Sequence, residues 1–234
     1  MIDIRIADIN IRIHNRYSYI ETMCQGYRAD FEAADIEVET DESAIAEEIK
    51  NTDFPTEPSY AEAACLHREI AERLWRHDCL LLHSAVIECD GVGYAFAARS
   101  GVGKSTHISL WKKNFRERVR AINGDKPVVK ITEQGVIVFG TPWNGKEGLG
   151  ENRFCPLRAL CFLERGENNQ IESMTSAEAV SRLFPQVYLP ENSQAAARTL
   201  ELLDTFVKEV SFFRLSCNME DEAAVVAHEA MSKV

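Results

Sequence analysis

The chain has 234 residues, 45% of them hydrophobic and 27% charged, enough for one large domain or two small ones with a self-sufficient core. Its formal net charge of -11, with Lys and Arg scattered, argues against a nucleic-acid partner, because phosphate backbones are held by clustered cations. Seven cysteines without a C-x-x-C pair support neither a disulfide framework nor a zinc site, and no apolar run approaches the ~20 residues that span a bilayer, so a cytoplasmic protein with buried thiols and no membrane partner is expected.

The opening MIDIRIADINIRIH alternates Ile2, Ile4, Ile6 and then changes frame at Ala7-Asp8 to Ile9, Ile11, Ile13. One face cannot serve both runs of a continuous strand, which predicts a bulge or tight turn near Asp8. ADIEVET, residues 34–40, predicts a short strand, and ESAIAEEIK a helix with acidic residues in its first turn. The polar stretch NTDFPTEPS, with two prolines, divides an N-terminal α+β region, residues 1–58, from a second domain, residues 59–234. Ser59 is the expected cap of the next helix, whose Ala63, His67, Ile70 and Leu74 form a stripe suited to packing on a sheet.

From Cys79 the texture turns to strands. LLLHSAVIE, a turn at Asp90-Gly91 and VGYAFAA read as a hairpin that runs into ARSGVGKSTH. THISLWKKNF has helical spacing, followed by the strand-like runs VRAIN, PVVKIT, GVIVFGT and LRALCFLER. The tail is mainly helical, with a stripe of Ala196, Leu200, Leu203, Val207 and Val210, a strand SFFRLSC and a last helix from Glu220.

RSGVGKSTH fits the phosphate-loop pattern G-x-x-x-x-G-K-S/T except that Ala98 stands at the first glycine. Strand, glycine-rich turn and helix is the context such a loop needs, since backbone N–H groups and a helix N-terminus together bind anions. Alanine fits there if the position keeps strand geometry rather than positive φ. Arg99, Ser100, Gly101, Val102, Gly103, Lys104, Ser105 and Thr106 are the candidate nucleotide contacts; Gly101 and Gly103 would let the backbone wrap phosphate, Lys104 would reach the β- and γ-phosphates, and Ser105 would hold Mg²⁺.

Transfer needs a second acidic group near the end of a later strand, and VRAINGDKP supplies Asp125, which is equally readable as a turn residue. His83, in an apolar run before the loop, is either a core side chain or a site residue. The glycine-rich segment GTPWNGKEGLGENRF carries Lys146, Glu147 and Arg153; it is a solvated connector or a loop whose charges close over a phosphate.

LLHSAV, a hairpin, SGVGKST and a strand ending in NGDKP together resemble the superfamily of HPr kinase/phosphorylase and phosphoenolpyruvate carboxykinase, over roughly residues 80–164. The resemblance implies a P-loop core on a mixed, largely antiparallel sheet, an α/β (α+β) class of fold, with the loop following a β-hairpin. His83 matches the active-site histidine, Lys104 and Ser105 the loop, and Asp125 an acidic residue after it. It further implies Mg-ATP-dependent transfer of the γ-phosphoryl group to a hydroxyl acceptor, usually serine, on a small molecule, peptide or protein. In that scheme Asp125, His83 and Lys104 are catalytic, Ser105 and Asp125 hold Mg²⁺, and Lys146 or Arg153 steadies the transferred group; an oligomer is left open. Members with protein-kinase activity tend to carry two adjacent aspartates, whereas this chain has Asp125-Lys126. That departure keeps open a second reading, a nucleotide-binding regulatory or scaffold protein without transfer. A transport-type or GTP-hydrolysing protein is a third reading, but neither L-S-G-G-Q nor N-K-x-D is present.

Overall fold

The computed structural model describes residues 1–99 and 101–234. In chain order it contains β1 (Ile2–Ile6), β2 (Ile9–His14), α1 (Tyr19–Met23), β3 (Ile36–Glu39), α2 (Glu42–Asn51), α3 (Pro58–Ala71), β4 (Cys79–Leu81), β5 (Ala85–Cys89), β6 (Val92–Ala97), α4 (Lys104–Phe115) and β7 (Val119–Asn123). These are followed by β8 (Val128–Thr132), β9 (Gly135–Phe139), β10 (Phe154–Arg165), β11 (Gln170–Met174), α5 (Ser176–Leu183), α6 (Ser193–Glu209), β12 (Ser211–Cys217) and α7 (Glu222–Met231).

Strands β1, β2 and β3 form a three-stranded sheet. The frame change at Ala7-Asp8 is a hairpin turn: both residues take positive φ, 53° and 64°, and Ile6 pairs with Ile9. The chain reverses there, so one face does serve both isoleucine runs, and all six are buried. Each such side chain contributes ~1.5–3 kcal/mol of hydrophobic stabilisation. Helix α3 packs on this sheet through Ala63, Leu66, Ile70 and Ala71. It starts one residue before the expected cap: Pro58 occupies its first turn, Glu57 is the N-cap, and Ser59 caps nothing.

The remaining nine strands form a mixed sheet that forks at β10. Phe154–Pro156 of that strand pair antiparallel with β9, while farther along residues 157–162 pair parallel with β6 and residues 159–165 parallel with β12. Around the fork the order is β4-β8-β9-β10 on one arm and β11-β12-β10-β6-β5-β7 on the other. The second arm is covered on both faces. Leu160, Phe162 and Phe212 meet α5 and α6, while Cys161, Leu163, Phe213 and Leu215 meet α4 and α7. This is why LRALCFLER reads as a continuous apolar run rather than an alternating one.

Two further sequence expectations change. LLLHSAVIE is not one strand: Leu82, His83 and Ser84 break it, so that β4 pairs with β8 and β5 with β6 and β7. On α6 the buried face is Ala195, Thr199, Leu202, Leu203, Phe206 and Val207, and Leu200 is 44% exposed. The expected stripe is rotated toward solvent because it omits Phe206, whose ring carries the contact with Phe212. All seven cysteines are free, six of them buried. Among the described residues no helix is long and apolar enough to cross a membrane.

Candidate functional site

The β5–β6 hairpin, closed by Asp90 and Gly91 at positive φ, delivers the chain to the glycine loop, and α4 starts at Lys104 behind it. Gly101 and Gly103 hold φ of +77° and +127°, which L side chains rarely adopt, so both glycines are needed where they stand. Ala98 is buried and is not among the positive-φ residues, the condition under which alanine fits this position. The Arg165 Nη2 donates to the Gly101 carbonyl at 2.6 Å, tying the turn to the end of β10. Ser100 lies outside the described residues.

Opposite the loop, β7 ends at Asn123, whose side chain is fully buried. Its Oδ1 accepts from the Asp125 and Lys126 N–H groups at 2.8 and 2.7 Å, and its Nδ2 donates to Thr141. The Thr141 hydroxyl in turn donates to the Lys126 carbonyl. This closed set of bonds fixes the N-G-D turn and docks residues 140–153 onto it. A Cβ at Gly124 would stand 2.5 Å from the Asn144 carbonyl oxygen, so only glycine permits that approach.

The break between β4 and β5 carries His83 to the same place, held by the His83 N–H to the Gln186 carbonyl and the Ser84 N–H to the Asp125 carbonyl. The His83 Nε2 lies 3.0 Å from the Lys104 Nζ and 3.1 Å from the Asp125 Oδ1. One ring nitrogen either accepts from Lys104 or donates to Asp125, so the two contacts are alternative hydrogen bonds.

These three groups sit in a cleft of about 1190 Å³ that Arg99, Ser105, Thr106, Lys126, Asn144, Lys146 and Glu147 also line. Gly101, Gly103, Gly124 and His67 belong to its wall as well, and Val102 packs instead against the core behind the loop. Arg153 is not part of the lining: its guanidinium faces Glu88 at 3.7 Å and Glu151 at 3.9 Å. Burial pushes the pKa of Lys104 down, Lys126 adds to this, and Asp125 and Glu147 oppose it. Burial also lowers Lys126. For Asp125 burial acts upward, but the His83 hydrogen bond and the charges of Lys126 and Lys104 outweigh it and hold the carboxyl below the usual aspartate range.

Sequence reasoning missed Asn123, Lys126, Gln186 and Arg165. The N-G-D signature announces Asn123, since asparagine side chains bond the backbone two residues on. Nothing local announces Gln186 or Arg165, which reach the cleft and the loop from distant parts of the chain.

Compared with protein-family models and with curated proteins, the chain finds no match. Among solved structures, that of the Hpr(Ser) kinase/phosphatase from Coxiella burnetii aligns with 65% of this chain and 97% of its own at 8% identity, with a TM-score of 0.36. A likeness that loose carries no argument about the site, which rests on its own residues.

Proposed function

We propose that the chain is a Mg-ATP-dependent phosphotransferase that moves the γ-phosphoryl group to a hydroxyl acceptor. The observation that supports this reading is the meeting of Lys104, His83 and Asp125 in one cleft, from three separate segments, beside a turn with two positive-φ glycines. A chance glycine turn would have no reason to face a desolvated carboxylate and histidine.

In this scheme the loop N–H groups, Arg99 and Lys104 bind the triphosphate. Lys104 leaves the His83 Nε2 for phosphate, and the ring nitrogen is then free to donate to Asp125 and orient it. Asp125 takes the proton from the acceptor hydroxyl as the new P–O bond forms and the bond from the γ-phosphorus to the bridging oxygen breaks, its electron pair leaving with ADP. Lys146, from the docked loop, faces the same space and would offset charge on the transferred group.

The Ser105 hydroxyl and the Asp125 carboxylate offer the hard oxygen donors that Mg²⁺ takes, usually completed by water. When bound, the ion would neutralise charge on the phosphate oxygens.

The reading without transfer draws on one observation: Lys126 follows Asp125, so the N-G-D turn brings a single carboxylate to the cleft. One experiment separates the two. Protein is incubated with γ-labelled ATP, Mg²⁺ and an extract of the source cell, and label is followed into free phosphate, small molecules and polypeptides. A kinase labels an acceptor fraction, and Asp125→Asn lowers that rate by ~10²-fold or more while Lys104→Ala abolishes it. Nucleotide binding with no label transferred, or Asp125→Asn at the wild-type rate, would overturn the scheme.

A further inference from the structure

Lys126 has no place in the binding of a nucleotide as described above, yet it is a half-buried ammonium facing the cleft. Among the described residues no carboxylate stands within ion-pair distance of it; Asp125, its chain neighbour, is paired with His83 instead. Only its backbone is engaged, by Asn123 and Thr141. The Asp125 charge supports the ammonium without a direct ion pair, and burial still outweighs that support, a situation that an anionic ligand would relieve.

The surroundings of Lys126 are unlike those of Lys104. His67 of α3 feels the Lys126 charge and stacks on Trp143, with ring centroids 4.7 Å apart. The His67 Nε2 and the Gln186 Oε1 are both buried without a hydrogen-bond partner, and both residues line the cleft. Burial, with Lys126 adding to it, holds the pKa of His67 at about 3, so the imidazole is neutral and adds no charge of its own. Against an aromatic wall, this side of the cleft thus offers one cation, a His67 ring nitrogen that can donate as N–H, and a Gln186 oxygen that accepts. The lining as a whole carries Arg68, Arg99, Lys104, Lys126 and Lys146 against Asp125 and Glu147, a cationic cleft in a chain of net charge -11.

We infer that Lys126, with the neutral His67 ring as an N–H donor, forms an anion subsite for the acceptor, beside the Gln186 Oε1, which can accept from a hydroxyl of the same molecule: the hydroxyl compound phosphorylated here carries a carboxylate or a phosphate group close to the reacting hydroxyl. The inference rests on the phosphotransferase reading. Asp125 and Lys126 are chain neighbours that both line the cleft, and the charge of each is felt at the other. The reacting hydroxyl at Asp125 and the anion at Lys126 are then within a few bonds of each other in one molecule.

The test is equilibrium binding by calorimetry on protein already saturated with Mg²⁺ and a non-hydrolysable ATP analogue. The probes are glycerol, glycerate and glycerol 3-phosphate, which share a hydroxyl and differ in having no anion, a carboxylate or a phosphate. Glycerate or glycerol 3-phosphate binds and glycerol does not; which of the two binds tells the carboxylate from the phosphate. Lys126→Met weakens that binding ~10-fold or more, Lys126→Arg retains it within ~3-fold, and neither changes nucleotide affinity by more than ~2-fold. Binding of neither anion, equal binding of glycerol, an unchanged anion affinity in Lys126→Met, or a parallel loss of nucleotide affinity would each overturn the inference. Failure of the wild-type protein to bind nucleotide would instead sink the phosphotransferase reading, and the same three probes titrated into Lys104→Ala without nucleotide still decide whether Lys126 holds an anion.

Discussion

His107, three residues into α4 behind the glycine loop, shows how much one side chain of this fold is asked to tolerate. It is 2% exposed, its Nε2 accepts from the Trp111 Nε1 at 3.0 Å, and its Nδ1 has no partner. Burial lowers its pKa to about 4. The unfolded chain binds this proton below about 6.5 and the native chain only near 4, so stability is greatest above 6.5 and falls as pH drops toward 4. The loss reaches about 3 kcal/mol in the limit, and His67, with its pKa held at about 3, acts in the same direction. Urea midpoints between pH 7.5 and 5 should therefore decline, and His107→Gln, which keeps an acceptor for Trp111, should flatten that decline. An equal slope in the variant would remove His107 from the account. Individual site residues were legible in the sequence to the extent that chemistry is local. Gly101, Gly103, Lys104 and Ser105 announce themselves by spacing, whereas Lys126 is recognisable only once its missing counter-ion is known.

At the scale of elements, the site depends on irregular pieces held against regular ones. The break at Leu82–Ser84 is invisible in the sequence because it is flanked by apolar residues on both sides, and periodicity cannot distinguish one long strand from two that part to different neighbours. The sequence of residues 140–154 fits both a solvated connector and a binding loop. The loop is docked, through Asn123 and Thr141 and through the close approach at Gly124. Gly124→Ala would place a Cβ 2.5 Å from the Asn144 carbonyl oxygen and push the loop off Asp125. The expected result is a loss of ~1–3 kcal/mol in chemical denaturation together with a fall in phosphoryl transfer, because Lys146 and Asp125 lose their common support. Wild-type stability and transfer in that variant would show that the docking is unimportant.

For the molecule as a whole, the polar, proline-containing linker divides the chain but not the core. Ile2, Ile4, Ile11 and Ile13 share one buried cluster with Leu66 and Ile70 of α3, Cys79 and Leu81 of β4, Val128 of β8 and Phe139 of β9. Removing residues 1–58 would strip the cover from these side chains and open the side of the cleft lined by Tyr19 and Met23. A fragment of residues 59–234 is accordingly expected to bind a hydrophobic dye and to lack a cooperative thermal transition. A cooperative transition near that of the whole chain would show instead that the second region folds alone.

What the sequence determined by itself is what depends on neighbours along the chain: the hairpin into a glycine turn, the cation at the head of the next helix, and an acidic residue after a short strand. Periodicity and turn chemistry are local, so they survive without coordinates. The meeting of His83 with Lys104 and Asp125, the break that allows it, and the unpaired ammonium of Lys126 were decided only by the tertiary structure. They depend on strand pairing between β4 and β8 and between β5 and β7, and on the fork at β10. Non-local pairing chooses which distant side chains share a low-dielectric space, and there a charge without a partner acquires its meaning.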